Sequence, residues 1–522
     1  MRHFCVRSFL AARRDGHCLA VRPRPCLAAY ALAAHLLTVA TAATSAAPDN
    51  GDFDRSYAGR GWNTIFVDPP GRSRYDSARM LVVQYDGSIV VAGLAGRDPQ
   101  YNGNGLLAAA RLNPDGSRHV QWASAEDTFG GVYPGLIVWP YEFDFVAWAA
   151  AGNNPSGNQG IGFAGSGRVV TGTSVNYAKL FAVSPAGTTL NGGLGKCEVI
   201  AGGALRDFYA LGAGSYSADQ AHITGYVRRY SDQAYVAATC AIQRNEQKTV
   251  TVSDSLPADP PGVIGTVGIA PHFFRDGSTN YNLSQRVYRN FNSAADNDVK
   301  LCDPGRDFRT NPPGVYTNCK VFEPNLGGHL DDQLWSILPN YYSIRTTGFS
   351  MSQVQNAAGG GDDRRVLTAS RPYFYQVNDS GQSYSDPEVS RSYVLGDATS
   401  PSTALSFHFP QGVYDPRGAG RIWVVMALRN YPGPDEYREI AVVRLKFSDL
   451  SLDTTFGNGT GWRRYSLDGA EVRPHAIAID QQGRVLVAGE RRYNPDSDDW
   501  DFFVMRLNDD VLFRDDFGQD TP

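Results

Sequence analysis

Short apolar runs, each entered from a polar-glycine turn and closed by a glycine, recur along this chain. Asp86-Gly87-Ser88 leads into Ile89-Val90-Val91-Ala92-Gly93, and Ala110-Arg111-Leu112-Asn113 follows. Near the other end, Gln482-Gly483-Arg484 leads into Val485-Leu486-Val487-Ala488-Gly489, and Met505-Arg506-Leu507-Asn508 follows. β-branched residues bounded by turn residues predict strands. A run apolar at every position, not at alternate ones, predicts a strand covered on both faces. Recurrence of the whole unit predicts stacked copies of a small β element that cannot bury its apolar surface alone.

The last two copies set the period. Gly420-Arg421-Ile422-Trp423-Val424-Val425 aligns with Gly483-Arg484-Val485-Leu486-Val487-Ala488 at an offset of 63 residues. About 60 residues hold three or four short strands with their loops, the size of a propeller blade. A unit opens with an aromatic-glycine segment such as Leu452 to Gly457 and then Trp462. It continues through Ala476-Ile477-Ala478-Ile479, the turn at Gly483, the run to Gly489 and an outer strand, Phe503 to Leu507. Weaker copies are expected at Gly167 to Gly172, Gln233 to Ala238 and Arg365 to Ala369. The pattern dissolves into Pro, Asn, Asp and Gly over about 256–339, read as one unit with long loops. The predicted fold is all-β, a β-propeller-like ring of about six to seven repeats of ~60 residues, within residues 47–511.

The ends carry matching phrases. Phe53-Asp54-Arg55-Ser56-Tyr57-Ala58-Gly59 and Trp62 stand in the phase of Leu452 to Trp462, and Leu512 to Gly518 restart it. The 512–522 tail therefore reads as a ring-closing segment that hides a sheet edge, a disordered acidic tail or a sorting signal.

Leu452 to Gly461, Asp480 to Gly489, Ala110 to Ser117 and, closest of all, Asp86 to Gly93 resemble the delta-60 repeat, found in exported and surface-associated bacterial proteins. The resemblance covers about 53–117 and 410–518. It implies a secreted, propeller-like protein and fixes no catalytic residues.

Composition adds a compartment. Residues 1–46 hold six arginines, an Ala-rich apolar run from Leu27 to Ala40, and small residues ending at Ala42 or Ala46. These are the parts of a cleaved secretory leader; an uncleaved anchor is the alternative. No later stretch is apolar enough to span a membrane. The leader carries +5 of a formal net charge of -5, leaving the remainder near -10, which argues against nucleic acid as a partner. Four cysteines lie beyond the leader: Cys197, Cys240, Cys302 and Cys319. An even count in an exported chain predicts two disulfides. Of three pairings, Cys197–Cys240 with Cys302–Cys319 closes the shorter loops. C-x₂₋₄-C metal spacing is absent.

Candidate chemistry is sparse. His119, His222, His272, His329, His408 and His475 form neither H-x-H nor H-E-x-x-H. His475 follows Pro474 ahead of a core strand, where a structural role suffices. Gly348-Phe349-Ser350-Met351-Ser352 lacks the second glycine and the α/β setting of a nucleophile elbow. Asp49 to Asp54 and Asp496 to Asp501 place oxygen donors at loop spacings that suit Ca²⁺, without a full ligand set; Asp276 to Asn280 reads first as a turn. Aromatics at Trp139, Tyr141, Phe143, Phe145 and Trp148, and again at Tyr341, Tyr342 and Tyr373 to Tyr375, read as packing between blades, with sugar or peptide contact as the alternative.

No cofactor and no catalytic residue is therefore expected, Ca²⁺ being the one cofactor left open. The expectation is a monomeric, secreted or periplasmic, non-enzymatic binding or scaffold protein with a carbohydrate or protein ligand. The alternatives are a propeller lyase, lactonase or glycosidase with a metal or acidic site in its funnel, and a surface-associated structural protein.

Overall fold

The computed structural model describes residues 51–508 except 98–104, 123–133, 144, 148–159, 169–174, 202–203, 218–219, 229–234, 244, 253–262, 267–270, 277–278, 285–286, 291–297, 304–317, 323–331, 340–345, 356–360, 372–373, 378–382, 387, 396–403, 416, 418–419, 432–435 and 496. The described residues contain strands and turns and no helix. The repeat signature is thus an all-β, propeller-type fold. The leader, the tail and His329 lie outside the described residues, as do Trp148, Tyr341, Tyr342 and Tyr373.

Among the described residues, seven sheets of three or more strands follow one another along the chain. The first comprises Ser77–Val83, Ile89–Ala95, Gly105–Leu112 and Leu136–Phe143. The second is six-stranded, with Gln247–Val252 added in parallel to Thr189–Ala201, and the third is Phe208–Ser217, Gln220–Arg228 and Tyr235–Gln243. The loop-rich stretch supplies the fourth, from Val263–Thr266 to Asn318–Phe322. The fifth runs from Asp332–Pro339 to Val389–Tyr393, and the sixth comprises Ala404–Tyr414, Arg421–Tyr431, Glu439–Lys446 and Trp462–Tyr465.

The seventh sheet joins the two ends of the described chain. Glu471–Ile479, Val485–Arg492 and Asp501–Leu507 pair in order, and Trp62–Ile65 adds antiparallel to Asp501–Leu507 with Trp62 opposite Met505. Trp62 and Trp462 thus play one part: each aromatic-glycine segment closes the sheet of the preceding unit instead of opening its own. The edge at Asp501–Leu507 is covered by an N-terminal strand.

The apolar runs divide their side chains between two neighbours, as period-2 strands must. Leu486 and Ala488 pack with Ile89, Val91 and Leu106 of the first sheet. Val485 and Val487 pack with Trp423, Val425 and Val442 of the sixth. Ile89 and Val91 face the seventh sheet, while Val90, Ala92 and Leu94 meet Phe163 and Phe181 of the second. Trp139 and Phe143 are buried there as packing residues.

Repeated polar residues explain themselves locally. Asp480 Oδ1 accepts the backbone N–H groups of Gln482 and Arg484, and Gly483 follows at φ +83°. Such a positive φ costs glycine little. The arginine of the V-R-L phrase, Arg444, is buried and reaches Asp453 at 2.8 Å; Arg506 reaches Asp54 at the same distance. Gly93 and Gly489 have another cause: a Cβ there would lie 2.0 and 2.1 Å from the carbonyl oxygens of Ser77 and Arg473.

One expectation needs adjusting. Gly167 and Arg168 end the strand Ile161–Arg168, opposite Tyr177 and Asn176, and do not start one. A Cβ on Gly167 would meet the carbonyl oxygen of Glu142 at 2.2 Å, so backbone crossing, not a turn, requires this glycine. Of the cysteines, Cys197 and Cys240 are joined in a disulfide. Cys302 and Cys319 stand opposite each other in the register of Asp298–Asp303 and Asn318–Phe322.

Candidate functional site

The carbonyls that exclude side chains at Gly93 and Gly489 lie just before β-bulges. In the first sheet the ladder skips from Ala78 to Met80, leaving Arg79 as the extra residue; in the seventh it skips from Pro474 to Ala476, leaving His475. The sixth skips from His408 to Gln411, and the fifth from Leu334 to Ser336. Every one of these bulges lies in the first strand of its sheet, where the extra residue re-aims a side chain.

The bulges meet in sequence around the first strands. Ser336 Oγ donates to the carbonyl oxygen of Pro410 at 2.9 Å. Phe409 stacks edge-on to His475 at 5.9 Å between ring centroids. His475 Nδ1 lies 3.1 Å from Arg79 Nη1. Phe409 holds φ at +59°, a region unfavourable for a bulky residue and characteristic of functional sites. His408 and Tyr437 brace it, with ring separations of 5.9 and 5.8 Å.

Beneath these residues lies an ion-pair network. Glu490 is buried, accepts the Tyr75 hydroxyl at 2.9 Å, and faces Arg473 at 3.4 Å, His475 at 3.4 Å and Arg79 at 3.8 Å. Glu471 pairs with Arg473 at 3.0 Å and with Arg492. Two guanidiniums lie over Trp500, Arg473 at 4.3 Å and Arg492 at 4.9 Å from its ring centre.

The electrostatics fix the protonation. Burial, reinforced by Arg79, pulls His475 down to about 4, so its imidazole is neutral at pH 7. An arginine only donates; Nδ1 therefore accepts from Arg79, and the ring proton sits on Nε2, towards Glu490. Burial opposes the charge on Glu490, but His475 and Arg79 outweigh it and hold its carboxyl below the ordinary range.

A second group flanks Trp500. Carboxylate oxygens of Asp68, Asp499 and Asp501 lie within 4.8 Å of one another. Burial, with Asp499, Asp76 and Asp68, lifts Asp501 to about 7. Burial also lifts Asp76 to about 7, although it accepts backbone N–H groups from Gly96 and Asp68. Arg74 pairs with Asp499 at 3.1 Å.

Sequence reasoning placed His475 beside a core strand and Asp499 and Asp501 in an acidic loop; the fold gathers Asp68 to that pair from the other end of the chain. The Asp49 to Asp54 segment is divided: Asp52 pairs with Arg463 at 2.8 Å, and Asp54 with Arg506 and Arg484. Arg79, Arg473, Phe409 and Glu490 went unread. One signal was available: Arg79 and His475 each stand 14 residues before their repeat glycine. His408 is half-buried against Tyr437 and pulled down to about 3, by burial first. The side chains of His222, His272, Ser350, Cys302, Cys319 and the Phe374 and Tyr375 pair fall outside the description.

A search of the curated proteins found no match. A solved structure described as a Mycobacterium tuberculosis puromycin-hydrolyzing peptidase aligns at 10% identity and a TM-score of 0.30. That alignment covers 86% of this chain, which spans 62% of the other. Residues 84–118, the hairpin from the Asp86 turn through Ala110-Arg111-Leu112, match the family described as "Domain of unknown function (DUF5122) beta-propeller". By sequence, then, the first repeat is similar to a β-propeller of unknown function.

Proposed function

We propose that this chain is an exported, non-enzymatic binding protein. Its bulged first strands present Arg79, His475 and Phe409 to an extracellular ligand, a carbohydrate or another protein. The observation that carries this reading is the convergence of bulge residues from three sheets onto side chains already fixed by ion pairs and ring contacts. Such preorganisation lowers the ordering cost of binding. Export is supported by the Cys197–Cys240 bridge and by the leader-like first 46 residues. Surface plasmon resonance of the immobilised protein against saccharide and peptide panels tests the proposal. Saturable binding weakened by Arg473→Ala is expected. Binding indifferent to Arg473→Ala and Arg79→Gln, or chemical conversion of a panel member, would overturn it.

A further inference from the structure

We infer that Asn458 is a site of spontaneous covalent modification, where the Gly459 amide nitrogen displaces ammonia from the asparagine side chain. Ring closure of this kind needs an unshielded asparagine, a free amide nitrogen on the next residue and little bulk beside it. The chain holds five Asn-Gly pairs, beginning at Asn50, Asn102, Asn104, Asn191 and Asn458. The Gly51 N–H, which would have to attack Asn50, is bonded to the Asn508 carbonyl oxygen at 2.9 Å. Asn191 lies within the strand Thr189–Ala201. Asn50, Asn102 and Asn104 themselves lie outside the described residues.

Asn458 meets all three needs. It sits in the turn between Phe456 and Trp462, with φ +56° followed by +91° at Gly459. The Thr460 N–H closes this turn onto the Gly457 carbonyl oxygen at 3.2 Å. Two positive φ values in succession make it type I′, a turn that favours Asn-Gly. Asn458 and Gly459 are both exposed. Among the described residues, no hydrogen bond engages the Asn458 side chain or the Gly459 N–H. A Cβ at Gly459 would meet nothing within 4 Å, so the attacking nitrogen stands in open space.

The N-terminal copy of this segment shows that the turn does not need the amide. There Ala58 and Gly59 hold φ at +50° and +74°. The Gly61 N–H bonds the Tyr57 carbonyl oxygen as the Gly461 N–H bonds that of Phe456. Of the two copies, only the one in the sixth sheet can react.

The step balances with water alone. The Gly459 nitrogen gives up its proton and bonds to Asn458 Cγ; the C–NH₂ bond breaks, and ammonia leaves with that proton. Water then opens the cyclic imide at either carbonyl, leaving aspartate or isoaspartate and one new negative charge. Isoaspartate routes the main chain through the side chain and lengthens the turn by a methylene. The strand that closes the sixth sheet, Trp462–Tyr465 on Glu439–Lys446, begins just beyond it.

Incubation of the full chain at pH 8, followed by peptide mapping and isoaspartyl methyltransferase labelling, tests the inference. The Asn458 peptide is expected to give two products, each with the mass gain of an NH₂ to OH exchange. Conversion is expected to be at least tenfold slower at pH 6, because the attacking nitrogen must shed its proton. Asn458→Gln, which would have to close a larger ring, is expected to slow it at least tenfold. Asn458→Ala is expected to abolish it and to melt close to the parent, as Ala58 holds the same conformation. Asn458 left intact over the time in which a urea-unfolded sample converts would overturn the inference, since the turn would then protect the bond. Conversion indifferent to pH would overturn it too, as would collapse of Asn458→Ala in thermal melts.

Discussion

Arg506 Nε lies 2.8 Å from Asp54 Oδ2, a buried bond between residues 452 positions apart. Asp54→Ala leaves Arg506 buried without its carboxylate, and breaking such a pair costs about 3–5 kcal/mol. Urea denaturation should register that loss. Replacing both Asp54 and Arg506 with apolar residues should cost less than the sum of the single changes; strict additivity would refute the pairing as an energetic unit.

Gly489→Ala should destabilise by about 2–4 kcal/mol, because the new methyl meets the Arg473 carbonyl at 2.1 Å. Gly469→Ala is the control. Its site has open space but φ +72°, and a cost of about 1 kcal/mol is expected there. Equal losses in thermal melts would argue against close approach as the reason for the repeat glycine.

His475 gives stability a defined acid limb. Its folded value near 4 lies below the ordinary 6.5, so the unfolded chain takes up a proton that the folded one refuses. Stability contributed above pH 6.5 is lost as pH falls towards 4, by on the order of 3 kcal/mol. His475→Gln should flatten this part of the stability–pH curve. An unchanged slope would mean that the imidazole is charged in the fold.

Asp501 acts in the opposite direction. A folded value near 7, raised by burial and by Asp499, Asp76 and Asp68, means that its stabilising protonation is complete below about pH 4 and lost as pH rises through 7. Asp501→Asn should therefore raise the melting temperature at pH 8 and raise it less at pH 5. A larger gain at pH 5 would contradict the assignment.

Peptide mapping without reduction should recover a Cys302–Cys319 crosslink alongside Cys197–Cys240. Cross-strand neighbours in register bring Cβ atoms within disulfide range. Free thiols at Cys302 and Cys319 in the oxidised protein would dispose of the second bridge.

The fold was legible where each repeat residue answers a local demand. Gly483 serves its turn, and the Val485 to Ala488 run serves two neighbouring sheets. The phase was not legible, because Trp462 pairs with Val443, and no short-range pattern tells a closing strand from an opening one. The site was harder still. Arg79, His475 and Phe409 are unlike residues in distant segments, and only the slip of one or two ladder positions turns them towards each other. His475 in particular looks inert in sequence, since neither Arg79 nor Glu490 is its sequence neighbour.

Trp62–Ile65 fastens onto a partner translated more than four hundred residues later. The early strand is made long before its seat exists, and so large a sequence separation makes the pairing a slow contact to form. A nick in an intervening loop would leave the two ends of the described chain joined through the sheet they share.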